Sequence, residues 1–398
     1  MNSGAGEGYR KDAVALSWRP GAGALRGAGR AAQCELPGGG IAAWLQREVA
    51  ASWAACGAFE WIALGYLAAS SALIVLFAEN LAHPVRLVGV QIVLAAMILA
   101  LCRVEARAAY YARRNKEIFS ARWWHFWRHW YPHVFFLFCF EELGKLVHLV
   151  NPRWEDAKLI AFDYWLTGVH PAVWLEQFAT PARNDFMQFA YLTYFVYLLV
   201  LGGILYYRRD WQEYWSVMTY SAAGYAIGYV IAILFPIESP WFAMAGAWHG
   251  ELRGGAATAV IHFIEHFGRV RGAAFPSEHV AGSFAALWGA WRHRRWLFWV
   301  MLPLVLCMCV STVWGRYHYV VDVFAGMITG TLGYVIGAWV MKKGGAVAAS
   351  AESHRAKKTS LQRRATVWRV HAFEGKSDLQ ESEFGGVEAD ELQTHGQT

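Results

Sequence analysis

The chain has 398 residues, of which 56% are hydrophobic and only 17% are charged. Soluble domains are about 45–50% apolar and about 25% charged, so this composition does not fit an ordinary soluble enzyme, and it excludes a wholly disordered chain. The 22 Trp, 18 Tyr and 23 Phe residues suit side chains that lie at a lipid–water boundary. We therefore expect one polytopic membrane domain with polar ends.

Several apolar segments along the chain have a length of about 20 residues, which is enough to cross a bilayer as a helix. The third of them contains charged residues and the sixth is short, but the series as a whole predicts an all-α membrane helix bundle. We expect about eight spans, with a six-helix core from the third span onward. The segments are 58–78, 85–102, 131–150, 187–207, 215–235, 279–291, 296–314 and 318–341.

The lysines and arginines divide unevenly between the two sides of this arrangement. On the side of the two chain ends there are 27 of them, whereas the loops 151–186 and 236–278 together contain six. Because cytoplasmic loops carry the excess of Lys and Arg, both ends are predicted to be cytoplasmic and the two loops to lie on the outer face. This distribution explains the net charge of +6, so we predict a plasma or inner membrane protein and no nucleic-acid partner.

The chain is predicted to have four regions. Residues 1–57 form a flexible cytoplasmic segment, and residues 58–129 contain two extra transmembrane helices and a cytoplasmic loop. Residues 130–341 form the catalytic membrane domain, and residues 342–398, which are charged and lack any apolar period, form a disordered cytoplasmic tail. The six cysteines form no CxxC pair, and their spacing indicates neither a disulfide framework nor a metal site.

Two short segments contain the residues that are suited to chemistry. FPSEH, at 275–279, comes directly before the sixth span, and GRYHYVVD, at 315–322, opens the eighth. In the predicted topology both segments lie at the outer membrane surface. The topology therefore brings His279 and His318 to the same depth.

His318 and Asp322 stand at i and i+4, so on a helix they share a face. A carboxylate at this spacing can accept a proton from one imidazole nitrogen and leave the other nitrogen as a nucleophile. His279 is then free to act as a general acid. The three residues are predicted to be catalytic, in a phosphoryl transfer through a phosphohistidine.

A phosphate group also needs a binding site. Ser277 and the backbone N–H groups that begin the sixth span predict an anion-binding helix N-terminus. Arg316 and Arg271 flank the two motifs, and arginine holds phosphate oxygens well. We therefore predict that Ser277, Arg316 and Arg271 bind phosphate.

Other interpretations of these residues remain open. The histidine and aspartate of HxxxD can form a purely structural pair. A metal site from His279, His318 and Asp322 is an alternative, but no further His or carboxylate has a spacing that completes it. His262 and His266, at i and i+4 in the outer loop, can also bind a metal, although a helix on the membrane surface explains them more simply.

FPSEHVAG followed by STVWGRYHYVVDVFAG resembles the type 2 phosphatidic acid phosphatase (PAP2) superfamily, in particular the membrane branch that includes inositolphosphorylceramide synthases. The resemblance covers roughly residues 130–341. It implies that His318 is the nucleophile, that His279 protonates the leaving group and that Asp322 orients His318. It also implies that the enzyme works without a metal or other cofactor.

The chain departs from the family pattern at two places. The first motif of the superfamily, KxxxxxxRP, is absent, and the equivalent segment 235–241 reads FPIESPW. The third motif usually opens with Ser-Arg, whereas this chain has Ser311-Thr312. The same loss of the first motif occurs in the synthase-like branch, so the resemblance to that branch is strengthened while the phosphate-binding residues stay open.

The sequence thus predicts a membrane lipid-phosphate phosphatase that acts on phosphatidate or a polyprenyl pyrophosphate. The first alternative is a transferase that moves an inositol-phosphate-type head group onto a lipid hydroxyl. The second, of another class, is a lipid-binding or transport protein without catalysis. The expected partners are a lipid phosphate and the bilayer.

Overall fold

The computed structural model describes residues 41–112, 121–268 and 270–343. Within these ranges the regular elements are helices, which confirms the predicted all-α class, and an isolated bridge pairs Ile237 with Ala273. Predictions for the remaining residues, including almost all of the tail, lie outside the described ranges. The helices are α1 Ile41–Ala55, α2 Ala58–Leu76, α3 Pro84–Ala112, α4 Ala121–Leu146, α5 Asp156–Thr167, α6 Pro171–Glu176, α7 Pro181–Leu192, α8 Tyr194–Tyr207, α9 Trp211–Leu234, α10 Ala256–Gly268, α11 Glu278–His293, α12 Arg295–Trp314 and α13 Val320–Lys343.

Six of the eight predicted spans coincide with helices that are long and apolar enough to cross a membrane: α2, α3, the consecutive α7 and α8, α9, α12 and α13. The third predicted span lies in α4, which contains Glu141, Glu142 and Lys145, and the sixth is α11, which has only 16 residues. These two are helices of the bundle but do not meet that criterion by themselves. The predicted flexible segment 1–57 also contains a helix, α1, because its residues 41–55 are mostly good helix formers.

The core of the bundle lies around α9, which is the most thoroughly buried of the six long apolar helices. It packs against α2, α4, α8 and α11, and Tyr214, Met218 and Ile233 on it are fully buried. Helices α2 and α3 pack on each other, and α3 also contacts α4. The two extra helices therefore join the core through α9 and α4.

Helices α11 and α13 approach so closely that their backbones touch. A Cβ added at Gly330 of α13 would lie 2.3 Å from the carbonyl oxygen of Ala281 in α11, and one at Gly333 would lie 2.6 Å from the Cα of Gly224 in α9. Small residues permit such contacts between membrane helices. Because both motifs stand at the N-terminal ends of α11 and α13, this packing brings His279 and His318 together.

Candidate active site

The two motif histidines are in direct contact. Nδ1 of His279 lies 3.2 Å from Nε2 of His318. The ring of His318 is buried, and His279 packs against Tyr191 and Tyr194 at ring distances of 4.9 and 4.6 Å. The two residues are 39 positions apart in the chain, so only the packing of α11 on α13 could unite them.

The hydrogen bonds around the pair define which nitrogens carry protons. Nδ1 of His318 lies 2.9 Å from the carbonyl oxygen of Ala274, and since a carbonyl can only accept, Nδ1 must donate. Nε2 of His318 is then the basic nitrogen and accepts from Nδ1 of His279. The remaining nitrogen of His279, Nε2, lies 2.7 Å from the hydroxyl of Tyr191, which donates to the neutral ring and accepts from the imidazolium. This network leaves the lone pair of His318 Nε2 as the nucleophile.

Asp322 contacts His318 less closely than its i, i+4 spacing predicts. Its Oδ2 is 3.5 Å from Nδ1 of His318 and accepts a hydrogen bond from the backbone N–H of Tyr319 at 2.8 Å. The physical reason is that His318 precedes α13 instead of lying on it, so Asp322 caps the start of the helix. Ala274, and not Asp322, holds the tautomer of His318 in this structure, while Asp322 supplies negative charge beside it.

Helix α5, in the predicted outer loop, holds the start of α13. Asp163 accepts hydrogen bonds from the N–H groups of Val320 and Val321 at 2.8 and 3.0 Å. Asp156 accepts one from the hydroxyl of Tyr319 at 2.8 Å. The first N–H groups of a helix have no partner within it, so Asp163 satisfies two of them, while Asp156 holds the side chain of Tyr319. Together they fix the chain directly after His318.

We predict that Asp163→Ala destabilises the protein by about 1–2 kcal/mol, because two buried N–H groups lose their acceptor. Turnover should fall as well, since the chain next to His318 loosens. Asp163→Asn, which keeps one acceptor oxygen, serves as the matched variant and should lose less. Thermal unfolding in detergent and kcat measure the two effects, and wild-type values for Asp163→Ala would contradict this role.

Ser277 caps its own helix. Its hydroxyl accepts from the N–H of Val280 at 3.4 Å, and its side chain is completely buried. The backbone N–H of Ser277 donates to the carbonyl of Asp322 at 3.1 Å, which ties the two motifs together. The predicted phosphate contact from the Ser277 hydroxyl therefore competes with its capping role, and the next N–H groups of α11 are the ones left for an anion.

Arg316 is placed away from His279 and His318. Its guanidinium donates to the carbonyl of Gly250 at 2.8 Å, lies 3.4 Å from a carboxylate oxygen of Glu176, and stacks 4.3 Å over the ring of Trp248. The backbone of Arg316 has φ of 64°, the left-handed turn that ends α12 and redirects the chain toward His318. The side chain follows that turn into the outer loop, so phosphate binding by Arg316 stays a prediction that requires a change of contacts.

Arg271 is also engaged with a carboxylate. It forms an ion pair with Glu238, and its side chain is 58% exposed. Glu238 belongs to FPIESPW, the segment that stands where the first motif is missing. A phosphate could recruit Arg271 only in competition with Glu238.

A cavity of about 490 Å³ opens beside the two histidines. Helix α4 lines it from His133 to Glu141, which at 1.5 Å per residue is roughly 12 Å. Leu137 and Phe195 line it while they are 61% and 39% exposed, so the cavity opens between α4 and α8 on the surface that faces lipid. Among the residues that the structure describes, its lining contains no Lys or Arg.

A second cavity, of about 770 Å³, adjoins the first on the side of the outer loop. Trp241 and Tyr317 line both cavities. Arg316, Trp248 and the backbone from 249 to 255 line the second one only. His279 and His318 thus line the apolar cavity that is open to lipid, and a more polar cavity adjoins it.

Three contributions to the site escape sequence reasoning. Tyr191 lies in an apolar run with many other tyrosines, so nothing distinguishes it. Ala274 acts through its backbone carbonyl, which every residue type has, so its role cannot be predicted from the sequence. Asp163 stands out as a carboxylate in an aromatic segment, but that signal does not tell that it accepts from the N–H groups of Val320 and Val321.

Burial lowers the pKa of His318 to about 4, and the hydrogen bond to Ala274 opposes this only partly. Because the predicted nucleophile is the neutral ring of His318, we predict that its protonation places an acid limb of kcat/KM near pH 4, below which activity is lost. The ionisation of the substrate phosphate, near 6 for a monoester, is measured by ³¹P NMR and divided out. An acid limb at the ordinary histidine pKa of about 6.5 would contradict the lowered pKa of His318. As a control for unfolding, protein held at pH 4 must regain full activity when it is returned to pH 7.

The described fold and site define a polytopic helical membrane protein with a buried pair of histidines beside a lipid-facing cavity. Residues 157–336, which carry both motifs, match the family model described as PAP2 superfamily. This segment of the chain belongs to the PAP2 superfamily, and its function is therefore of the phosphatase or phosphotransferase type. No curated protein and no solved structure matches the chain significantly.

Proposed function

We propose that the protein is a membrane-embedded lipid-phosphate phosphatase that works through a phosphohistidine at Nε2 of His318. The observation that carries the proposal is the arrangement of the two histidines. Nδ1 of His318 is held by the carbonyl of Ala274, and Nε2 points at His279 on the wall of a lipid-open cavity. A buried nucleophile with a second imidazole beside it suits attack on a phosphoester.

In the first half of the reaction the lone pair of His318 Nε2 attacks phosphorus, and the bond from phosphorus to the leaving oxygen breaks. His279, in its imidazolium form, gives the proton on Nδ1 to that oxygen. The two nitrogens are 3.2 Å apart, so the phosphoryl group must separate the rings as it enters. The positive charge that develops on the phosphorylated ring is stabilised by Asp322, 3.5 Å from Nδ1.

In the second half, water attacks phosphorus and the bond to Nε2 breaks. The neutral His279 takes the proton of the attacking water, which restores both rings and releases phosphate. The proton that His279 gives in the first half is thus recovered in the second, and the cycle needs no metal to balance it. His279 acts as acid and then as base, which is the usual requirement when one group serves both halves.

The cavity supports a lipid as the substrate. Its lining is mostly aromatic and aliphatic, and its opening between α4 and α8 admits an acyl or prenyl chain from the bilayer. Apolar cavities of 300–1,000 Å³ with a few polar groups are typical ligand sites. The phosphate would then lie at the end occupied by His279 and His318.

A head-group transferase is the second candidate, and the second cavity favours it. A hydroxyl acceptor can reach the phosphohistidine from the cavity that shares Trp241 and Tyr317 with the first. This is the reaction that the resemblance to inositolphosphorylceramide synthases implies. The active site on the outer face, which the charge distribution predicts, applies equally to both candidates.

The two candidates are separated by incubating purified enzyme with a phosphorus-labelled phospholipid, with and without a ceramide or diacylglycerol acceptor. We expect free labelled phosphate at the same rate in both reactions. Label that appears only in a new lipid, and only when the acceptor is present, would contradict hydrolysis and support the transferase. His318→Ala enzyme provides the blank for both products.

A further inference from the structure

A second group of chemically active side chains lies beyond the end of the cavity, near the beginning of α4. His125 and His129 occupy one face of that helix at i and i+4, and Glu105 of α3 lies opposite them. One nitrogen of each ring and one carboxylate oxygen of Glu105 all lie within 4.8 Å of one another. Eight residues of α4 separate His125 from His133 at the near end of the cavity, about 12 Å along the helix.

His129 has the features of a ligand that is ready for a metal. Its side chain is 1% exposed, and its Nδ1 lies 2.8 Å from the carbonyl oxygen of His125, to which it donates. Its Nε2 is buried and has no hydrogen-bond partner among the described residues. A buried ring nitrogen without a partner is costly, whereas a metal-bound histidine commonly donates its other nitrogen to a carbonyl.

The neighbouring rings explain why His129 is buried but not why it is a histidine. Trp211, Tyr214 and Trp215 surround the imidazole at ring distances of 4.7 to 5.2 Å. The hydroxyl of Tyr214 donates to the backbone carbonyl of His129 and so is not available to its ring. A phenylalanine in this position would satisfy the packing without an unpaired nitrogen.

The third group, Glu105, is held in place by an ion pair with Arg128. Nε of Arg128 lies 3.0 Å from its Oε2, and a second carboxylate, Glu60, lies 2.7 Å from Nη2 of the same arginine. These three side chains carry one net negative charge, which favours a cation. The ion pair with Arg128 is an outer-shell contact of the kind that orients a metal-binding carboxylate.

We propose that His125, His129 and Glu105 bind a divalent transition-metal ion of the zinc type. Two imidazoles and one carboxylate are a common zinc donor set, with bonds of about 2.0–2.2 Å and a fourth position for water. Small rotations of the side chains bring the donors to that distance. Since Glu105 is on α3 and the histidines are on α4, the metal would fasten the extra helices to the catalytic bundle, and it takes no part in the chemistry at His318.

The experiment uses the full-length protein with an affinity tag that contains no histidine, purified in detergent, treated with chelator and then titrated with Zn²⁺. We expect one Zn²⁺ per chain and a higher melting temperature with Zn²⁺ than without it. Because removal of His129 can disturb the core, the test variants are His125→Ala and Glu105→Gln, at less buried positions. Each removes a direct ligand and should weaken Zn²⁺ binding by more than the roughly 10–100-fold that the loss of an outer-shell partner costs, and it should abolish the thermal shift.

The chain offers a matched control in His262 and His266, a second i, i+4 pair, on α10. The double variant His262→Ala/His266→Ala should bind Zn²⁺ as the wild type does. No binding by the wild type, equal binding by His125→Ala, or loss of binding only in the α10 variant would each overturn the proposal. Because Zn²⁺ stoichiometry is measured without turnover, these outcomes do not depend on the proposed phosphatase activity.

Discussion

Replacing His318 by alanine is expected to abolish turnover while the protein stays folded. The side chain supplies the only nitrogen that we assign as nucleophile, and the loss of such a group costs on the order of 10⁴-fold or more in kcat. The ring lines a preformed cavity, so its removal enlarges that cavity and loses the contacts with His279 and Ala274. The close backbone approach of α11 and α13 at Gly330 does not depend on the ring. Release of phosphate from a lipid phosphate, followed with the variant and the wild type at equal folded concentration, measures the effect.

His83→Ala is a suitable control, since His83 is exposed in the turn between α2 and α3 and should leave the rate unchanged. Phosphohistidine trapped by acid quench after mixing with labelled substrate should appear in the wild type and be absent from His318→Ala. Near-normal turnover by His318→Ala would remove the proposed mechanism. A lipid-binding protein without catalysis would instead bind its lipid equally well with and without the imidazole and release no phosphate.

His279→Ala is expected to slow the reaction by about 10² to 10⁴-fold, the usual contribution of a general acid. The loss should depend on the substrate, because the proton matters most when the leaving oxygen is a poor leaving group. For a lipid analogue that releases nitrophenolate, the variant should approach the wild type in the first half-reaction. For an alkyl leaving group the full loss should appear.

The measurement is the dependence of kcat/KM on the pKa of the leaving group across a series of analogues, which should be steeper for His279→Ala than for the wild type. Tyr191→Phe removes the hydroxyl on the other nitrogen of His279 and tests whether that contact positions the ring. We expect an intermediate loss with a pH profile shifted from that of the wild type. Equal slopes for His279→Ala and the wild type would show that His279 does not protonate the leaving group.

Much of the architecture could be predicted because it depends on local composition. An apolar run of membrane length, such as the one in α9, can be recognised in the sequence without knowing which helices it packs against, since every span must be apolar over its length. The two weaker spans were harder to predict for physical reasons. Helix α4 buries Glu142 but leaves Glu141 and Lys145 exposed, so charge interrupts its apolar run on more than one face. Helix α11 has only 16 residues, which is short for a span.

The contacts of the outer loop 151–186 could not be predicted from the hydrophobic pattern of the sequence. The structure has α5, α6 and the first turns of α7 there, and Asp163 and Asp156 on α5 hold the start of α13. The sequence shows Asp163 in the aromatic segment FDYWLTG but does not show which backbone groups its carboxylate binds. Its position depends on hydrogen bonds to backbone N–H groups more than 150 residues further along the chain, and residue types do not encode such pairings.

The sequence by itself determined the membrane class, the helical architecture and the two motifs that bear His279, His318 and Asp322, because hydrophobic length and motif spacing are local properties. Only the tertiary structure decided how these residues act on one another. The close packing of α11 on α13 joins the two rings, the carbonyl of Ala274 selects the tautomer, and the turn at Arg316 directs its guanidinium to Glu176. Each of these depends on backbone positions brought together from distant parts of the chain, where a displacement of about 1 Å makes or breaks a hydrogen bond.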